Sequence, residues 1–184
     1  DSNIVATREP RQVECIICST ILDCHIVCLT EWSTTYCNTI VISKDASVSE
    51  TTAAEELGSY LKQISGAEFN ILNEEEPGAS SRRIFIGFNE DYAERTGTER
   101  PEDDYEGFTY RNVGKDIWIY GGRTRGTMYG VFAFLENELG VRWYATDCTK
   151  IPEADRWDFS KLNVSEAPAI RYRYTQYKNV AGDP

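Results

Sequence analysis

A single histidine, His25, serves the whole chain of 184 residues. That scarcity excludes much chemistry, because Ser-His-Asp triads, Cys-His pairs and His-ligated zinc centres all need imidazole. If His25 lies outside the folded body, none of them can be assembled. Basic charge is short as well: 19 Lys and Arg stand against 30 Asp and Glu, a net charge of −11 at pH 7. A surface this acidic repels phosphate backbones, and no Lys/Arg run offsets it, so nucleic acid and anionic membranes make poor partners. The chain also lacks an apolar stretch fit to span a bilayer, an internal repeat and a low-complexity tract, so no transmembrane span is expected.

Apolar bulk is plentiful. Apolar residues make up 41% of the sequence, with seven Phe, eleven Tyr and four Trp, enough for one globular domain that buries roughly 70% of its unfolded surface. Neither a cofactor nor a metal nor a disulfide scaffold is needed to explain folding. Five of the six cysteines crowd into Cys15, Cys18, Cys24, Cys28 and Cys37, leaving Cys148 alone in the body, which is therefore not stapled by disulfides.

Residues 1–38 differ in character from the remainder of the chain. A polar start leads into the apolar stretch Cys15–Leu29, for which three readings compete. Cys15-x2-Cys18 and Cys24-x3-Cys28 with His25 suggest a metal site, although the intervening residues are apolar rather than turn-forming. An export-signal core fits the length, with Arg8 and Arg11 upstream, yet Asp23 and His25 interrupt it. The third reading is a loosely packed leader. We treat 1–38 as a leader or remnant targeting segment.

From Thr39 onward periodicity is legible. Residues 39–43 form a buried strand, Asp45–Glu50 a turn and helix entry, and Ala53, Ala54, Leu57, Tyr60, Leu61 and Ile64 the stripe of an amphipathic helix over 51–65 that ends at Gly66. Residues 69–72 and 83–87 are strands separated by a solvated loop holding the acidic triplet Glu74-Glu75-Glu76; 89–96 is a short helix. Residues 107–112 and 116–120 make a hairpin around Gly114. A second long helix comes after Gly121–Gly126, with Met128, Val131, Phe132, Leu135 and Leu139 as its apolar face and Gly140 as its stop. Residues 141–144 return as a strand and 162–164 are a weak one. The expected fold is α+β: a mixed sheet with two main helices over 39–166. Residues 167–184 read as a linker and the first strand of a further domain, since the Tyr/Arg string 170–177 has nothing after it to cover it.

The candidate chemistry is modest. Gly121-Gly-Arg-Thr-Arg-Gly126 ahead of a helix could cradle an anion, but it lacks the G-x-G-x-x-G and P-loop patterns, and a tight strand-to-helix turn explains the glycines. Asp103, Asp104, Glu106, Glu136, Glu138 and Asp147 could supply the carboxylate pair of glycoside hydrolysis. None sits in an apolar sequence setting. Arg142, Trp143, Tyr144, Arg171, Tyr172, Arg173, Tyr174 and Tyr177 are residue types that stack on sugars and bond their hydroxyls; a core or interdomain strand is the favoured explanation for them. Asn163-Val-Ser165 matches a glycosylation sequon.

The segment Arg125–Tyr144 resembles the small N-terminal domain that precedes the catalytic barrel in β-N-acetylhexosaminidases and α-glucuronidases, above all in Bacteroides-type proteins that join it to a poorly characterised barrel. The resemblance runs over about 39–177 and leaves the first 38 residues outside. It implies a zincin-like sandwich without a metal centre, catalytic carboxylates in a following barrel, and a non-catalytic accessory domain of an exported bacterial hydrolase, periplasmic or at the outer surface, that braces this barrel. By the same resemblance Arg173 binds sugar, with Arg171 as a register-shifted rival and Tyr172 beside them; Tyr174 stands where a small residue is usual. Gly126 and Gly130 are expected to set helix-to-sheet packing, and Trp118, Phe132, Leu135 and Trp143 to lie in the core or at the barrel contact. The alternative is a free-standing carbohydrate-binding or protein-binding module using the Tyr/Arg string. An oligosaccharide is the expected small partner.

Overall fold

The computed structural model describes residues 32–33, 39–76, 82–154, 156–159 and 161–170. Among them are β1 (Trp32–Ser33), β2 (Thr39–Ile42), α1 (Val48–Ser65), β3 (Asn70–Asn73), β4 (Ile84–Ile86), α2 (Glu90–Thr96), β5 (Phe108–Val113), β6 (Asp116–Gly121), α3 (Gly126–Asn137), β7 (Arg142–Ala145), β8 (Cys148–Lys150), β9 (Arg156–Trp157) and β10 (Asn163–Glu166). Six strands form one mixed sheet in the order β10-β5-β6-β4-β2-β3. The β2, β3, β4 and β6 pairings are parallel, and β10-β5-β6 are antiparallel.

Side chains alternate across the central strands, so each strand feeds two cores. Ile40, Ile84, Ile86, Ile117 and Ile119 face a layer made by α1 and α3. Val41, Phe85, Trp118 and Tyr120 face the other way, joined by Phe88 and by Tyr92 of α2. Phe85 and Trp118 stack at 3.9 Å between centroids, and Arg83 lies 4.8 Å above the Phe85 ring. Burial on both sides explains why β4 and β6 read as unbroken apolar runs. The Trp118 indole N–H is buried with no hydrogen-bond partner among the described residues. An unmade bond of this kind costs about 1–3 kcal/mol. Burying an aromatic side chain over about 150–250 Å² at about 25 cal/mol per Å² yields about 4–6 kcal/mol, so the burial wins.

The structure departs from the sequence expectation in four places. α1 begins at Val48 rather than 51, because Ser47 and Glu50 form a capping box: the Ser47 N–H donates to Glu50 Oε2 at 2.8 Å and the Glu50 N–H to Ser47 Oγ at 3.2 Å. The α3 stripe is rotated by one residue. Thr127, Gly130, Val131, Phe134 and Leu135 are the buried set, while Met128 and Phe132 are half-buried. A helix apolar nearly all round admits both stripes, and the small residues Gly126 and Gly130 decide which face approaches the sheet. Residues 142–145 do not enter the sheet. Gly140, in the left-handed conformation at φ 74°, turns the chain over the helices, where β7 pairs with β8. The sheet's sixth strand is β10, antiparallel to β5 at the edge. Finally, Glu74 is not a free loop residue: its carboxylate accepts from Ser43 Oγ (3.1 Å), the Lys44 N–H (3.1 Å) and Asn89 Nδ2 (2.9 Å), tying together the carboxyl ends of β2, β3 and β4.

Residues 1–31 and 34–38, with His25 and the clustered cysteines, lie outside the described residues. Trp32 and Ser33 pair with Trp157 and Arg156.

The two helical glycines yield opposite predictions. A Cβ at Gly130 would stand 3.0 Å from Phe108 Cβ and 3.1 Å from Ile119 Cγ2, whereas at Gly58 it would meet Ile40 Cδ1 at an ordinary 3.5 Å. Gly130→Val is expected to destabilise by about 1–3 kcal/mol through overpacking, and Gly58→Ala to stabilise by up to about 1 kcal/mol through helix propensity. Urea midpoints measure both. A second prediction concerns alkali. Tyr110 is buried and its hydroxyl donates to Glu138 Oε1 at 3.0 Å; burial first, then the Glu138 carboxylate, pushes its pKa up to about 12. Burial and the Tyr120 hydroxyl raise Tyr92 too. A raised folded pKa holds the phenol proton, so this contribution is complete below the ordinary phenol value of 10.0 and lost as pH climbs toward 12. Denaturation midpoints are expected to fall over that window, and Tyr110→Phe to flatten the fall.

Candidate functional site

The glycine run singled out in the sequence forms the turn between β6 and α3. Gly121 N–H donates to Thr127 Oγ1 (3.1 Å), Thr124 N–H to the Asp103 carbonyl (2.9 Å) and Thr127 N–H to the Gly122 carbonyl (3.1 Å). These amides are engaged within the protein. The glycines are where the 102–107 segment presses close. A Cβ at Gly122 would stand 2.2 Å from the Tyr105 carbonyl oxygen, and one at Gly126 would stand 2.5 Å from the carbonyl oxygens of Tyr105 and Gly107. Backbone cannot yield there as a flexible side chain would, so only glycine fits.

Arg123 is occupied as well. Its guanidinium bonds the Asp45 carbonyl and lies 3.6 Å from Asp45 Oδ2 and 3.7 Å from Glu50 Oε2, while its own carbonyl accepts from Ser47 Oγ at 2.8 Å. The Ser43 hydroxyl, aided by the Arg123 charge, holds the Asp45 carboxyl below its ordinary value. The loop that could have cradled an anion is thus a strap joining the start of α3 to the capping box of α1. Arg125 is largely exposed, 3.8 Å from Glu106.

A cleft of about 220 Å³ opens beside this strap, lined by Glu102, Asp104, Tyr105, Glu106, Gly107, Ala167 and Pro168. Asp103 and Asp104 are exposed and Glu106 half-buried. An acid/base pair sets one carboxyl in apolar surroundings; here Tyr105, Ala167 and Pro168 share the lining with the carboxylates, of which Glu102 and Asp104 are exposed. A second cleft of about 290 Å³ at the carboxyl ends of β2, β3 and β4 gathers Asp45, Glu74, Glu75, Glu90 and Asp91 with Lys44 and Arg100. No group of three or more His, Cys, Asp or Glu among the described residues is placed to hold a metal. Glu136 is exposed on α3, Glu138 binds Tyr110, and Asp147 is exposed between β7 and β8.

Of the residues expected to be structural, Trp118 and Leu135 are fully buried. Gly130 abuts Phe108 and Ile119, and Gly126 abuts the 105–107 backbone. Trp143 is 36% exposed, outside both cores; its indole N–H donates to Tyr60 Oη at 2.7 Å and its ring meets Phe132 at 5.3 Å. Tyr144 and Ile170 are more exposed still. Arg171, Tyr172, Arg173, Tyr174 and Tyr177 lie outside the described residues. Sequence reasoning missed Ser47, Glu50 and Arg123 as a unit; the Ser-x-x-Glu spacing was the available signal.

A mixed sheet carrying two long helices on one face, with its strand-to-helix turn closed on itself, defines an α+β domain. Residues 26–134 match the family described as the glycosyl hydrolase family 67 N-terminus, and the chain belongs to that family. The match starts ahead of Thr39, so part of the segment first set aside as a leader falls within it. Alpha-glucuronidase A of Emericella nidulans is 33% identical over 109 residues, 58% of this chain and 13% of that protein. The probable alpha-glucuronidase A of Aspergillus terreus is 28% identical over the same shares. Both organisms are fungi, whereas the resemblance had pointed to bacterial proteins. The chain therefore spans about an eighth of the length of these relatives. A solved family GH115 4-O-methyl-α-glucuronidase, with specificity for decorated arabinogalactans, shares the fold at TM-score 0.55 and 16% identity, covering 78% of this chain and 19% of that one. The chain is an N-terminal accessory-type domain of glycoside hydrolases. No helix among the described residues is long and apolar enough to cross a membrane.

The strap predicts that Ser47→Ala costs about 0.5–2 kcal/mol through loss of the cap, and that millimolar phosphate leaves the thermal midpoint unchanged, since ligand binding to the native state would raise it. Thermal scans with and without phosphate check both.

Proposed function

We propose that this chain is the non-catalytic N-terminal domain of a larger exported α-glucuronidase-type hydrolase, and that it braces the catalytic barrel of the same polypeptide. The observation that carries the reading is the family match over 26–134, together with an alignment of 109 residues that covers only 13% of the α-glucuronidase relatives. The geometry supports it: the glycines of the Gly121–Gly126 turn are used for close backbone packing, and Glu102 and Asp104 of the 220 Å³ cleft are exposed while Glu106 is half-buried beside Arg125. Residues 39–166 are the accessory unit, and 167–184 lead into the barrel.

Within this reading Arg173 is the residue that contacts the sugar, with Arg171 and Tyr172 beside it, and an oligosaccharide carrying a glucuronosyl group is the substrate class. A charge-assisted hydrogen bond of this kind is worth about 1.5–3 kcal/mol, so Arg173→Ala is expected to lower kcat/KM of the parent enzyme about 10- to 100-fold. Deleting residues 39–166 from the parent is expected to lower its thermal midpoint by several degrees while its carboxylate pair stays in place. A parent whose unfolding is unchanged by the deletion would overturn the bracing role.

A further inference from the structure

The β7–β8 ribbon belongs to neither core, and every residue from Trp143 to Lys150 is exposed. On a chain of net charge −11, this ribbon sets two cations directly opposite each other, Arg142 being the cross-strand partner of Lys150. Like charges so placed destabilise an antiparallel pair. Neighbouring carboxylates relieve the conflict only in part. Glu136 Oε1 lies 3.7 Å from Arg142 Nε, with both side chains about half exposed, and the Lys150 ammonium has no carboxylate partner among the described residues. The carbonyls of Glu136 and Val141 both accept from Arg142 Nη1 and hold the guanidinium at the end of α3. A guanidinium has more donors than these bonds use, and no described bond takes Nη2.

Tyr144 completes the group. The pairing steps from Trp143–Thr149 to Ala145–Cys148, so Tyr144 is the extra residue of a bulge and has no cross-strand partner. A bulge re-aims the side chain it carries. Trp143 is turned inward against Phe132 and Tyr60, whereas Tyr144 is 68% exposed and its ring meets no other ring among the described residues. A tyrosine offers rigid, amphipathic contact area at low entropic cost, and cations with unused donors suit a carboxylate. A bare anion would leave the tyrosine idle, and a neutral sugar would leave the two cations opposed. A sugar ring that bears a carboxylate answers both. We propose that Arg142, Lys150 and Tyr144 form a carbohydrate-binding site of this domain that takes a glucuronosyl residue by its carboxylate. The site rests on the α-glucuronidase-type reading for the identity of the acid sugar and gives this domain a ligand of its own.

The test is calorimetric titration of the purified 184-residue chain with a xylotriose carrying a 4-O-methyl-α-glucuronosyl branch, and with plain xylotriose beside it. The branched sugar is expected to bind saturably in the millimolar range, at least about 10-fold more tightly than the plain one, and to weaken as salt is raised. Lys150→Glu is expected to abolish that preference while leaving the thermal midpoint equal or higher, because it turns a like-charge pair into an opposite one. A merely structural lysine would not separate the two readouts. Tyr144→Ala is expected to weaken binding of the branched sugar with the midpoint unchanged, and inorganic phosphate, which has no ring to stack, is expected not to compete. Equal affinity for the two sugars, absence of saturation, displacement by phosphate or undiminished binding by Lys150→Glu each overturns the proposal. So does slower hydroxyl-radical labelling of Tyr144 in the ligand-free parent than in the isolated chain, which would assign the ribbon to a contact within the longer polypeptide. A parent that turns over glucuronosyl oligosaccharides beside a chain that binds none removes this site and leaves the α-glucuronidase-type reading standing; a chain that binds the branched sugar beside a parent that turns over none does the reverse.

Discussion

Strand β6 is buried along its whole length and on both faces, and that constraint organises the molecule. Ile117 and Ile119 need one cover while Trp118 and Tyr120 need another. The first is supplied by α1 and α3, the second by Phe85, Phe88 and Tyr92 with arginines over their rings: Arg83 above Phe85, Arg100 near Phe88 and Arg111 near Tyr92. The Tyr92 hydroxyl donates to Tyr120 Oη at 3.0 Å inside this second core. At the start of β6 the buried Asp116 is bonded by the Arg83 backbone N–H at 3.0 Å and by its guanidinium at 3.1 Å. A buried carboxylate is tolerated only with such partners.

Its other end explains why the glycine run is not a ligand loop. β6 must pass into α3 within four residues, beneath the backbone of 102–107, and a Cβ at Gly121, Gly122 or Gly126 would collide with that backbone. The turn then uses Arg123 to grip Asp45 and Glu50 at the head of α1. Sheet, both helices and the 102–107 segment are fastened at one point. Such a unit is suited to holding its shape against a neighbour, which is the mechanical property a bracing domain requires.

Much of this was legible in the sequence because hydrophobic period and turn chemistry agree. Ala53 to Ile64 wind at helical spacing between Ser47 and Gly66, and Gly114 marks the hairpin. Where two patterns coexist the sequence is ambiguous: α3 is apolar on every side, so the choice of Phe134 over Phe132 as the buried ring depends on how closely Gly130 lets the helix approach Ile119, a tertiary distance. Residues 142–145 alternate like a sheet strand, and only the left-handed Gly140 sends them over the helices. Glu74 and Arg123 resemble surface charges until their distant partners, Asn89 and Asp45, are in view. The candidate site was legible mainly as an exclusion. The single histidine and the lack of an apolar sequence setting around the candidate carboxylates could be read directly, whereas the strap joining Ser47, Glu50 and Arg123 rests on contacts more than seventy residues apart, as in the Ser47–Arg123 bond.

On the function proposed above, the chemistry of the parent enzyme belongs to residues beyond this domain. The most direct measurement is turnover of a glucuronosyl-substituted oligosaccharide by the purified 184-residue chain, assayed beside the full-length parent. Turnover by the parent alone is the predicted result. Turnover by the isolated chain, abolished by substituting a carboxylate of its own such as Glu106, would contradict the account.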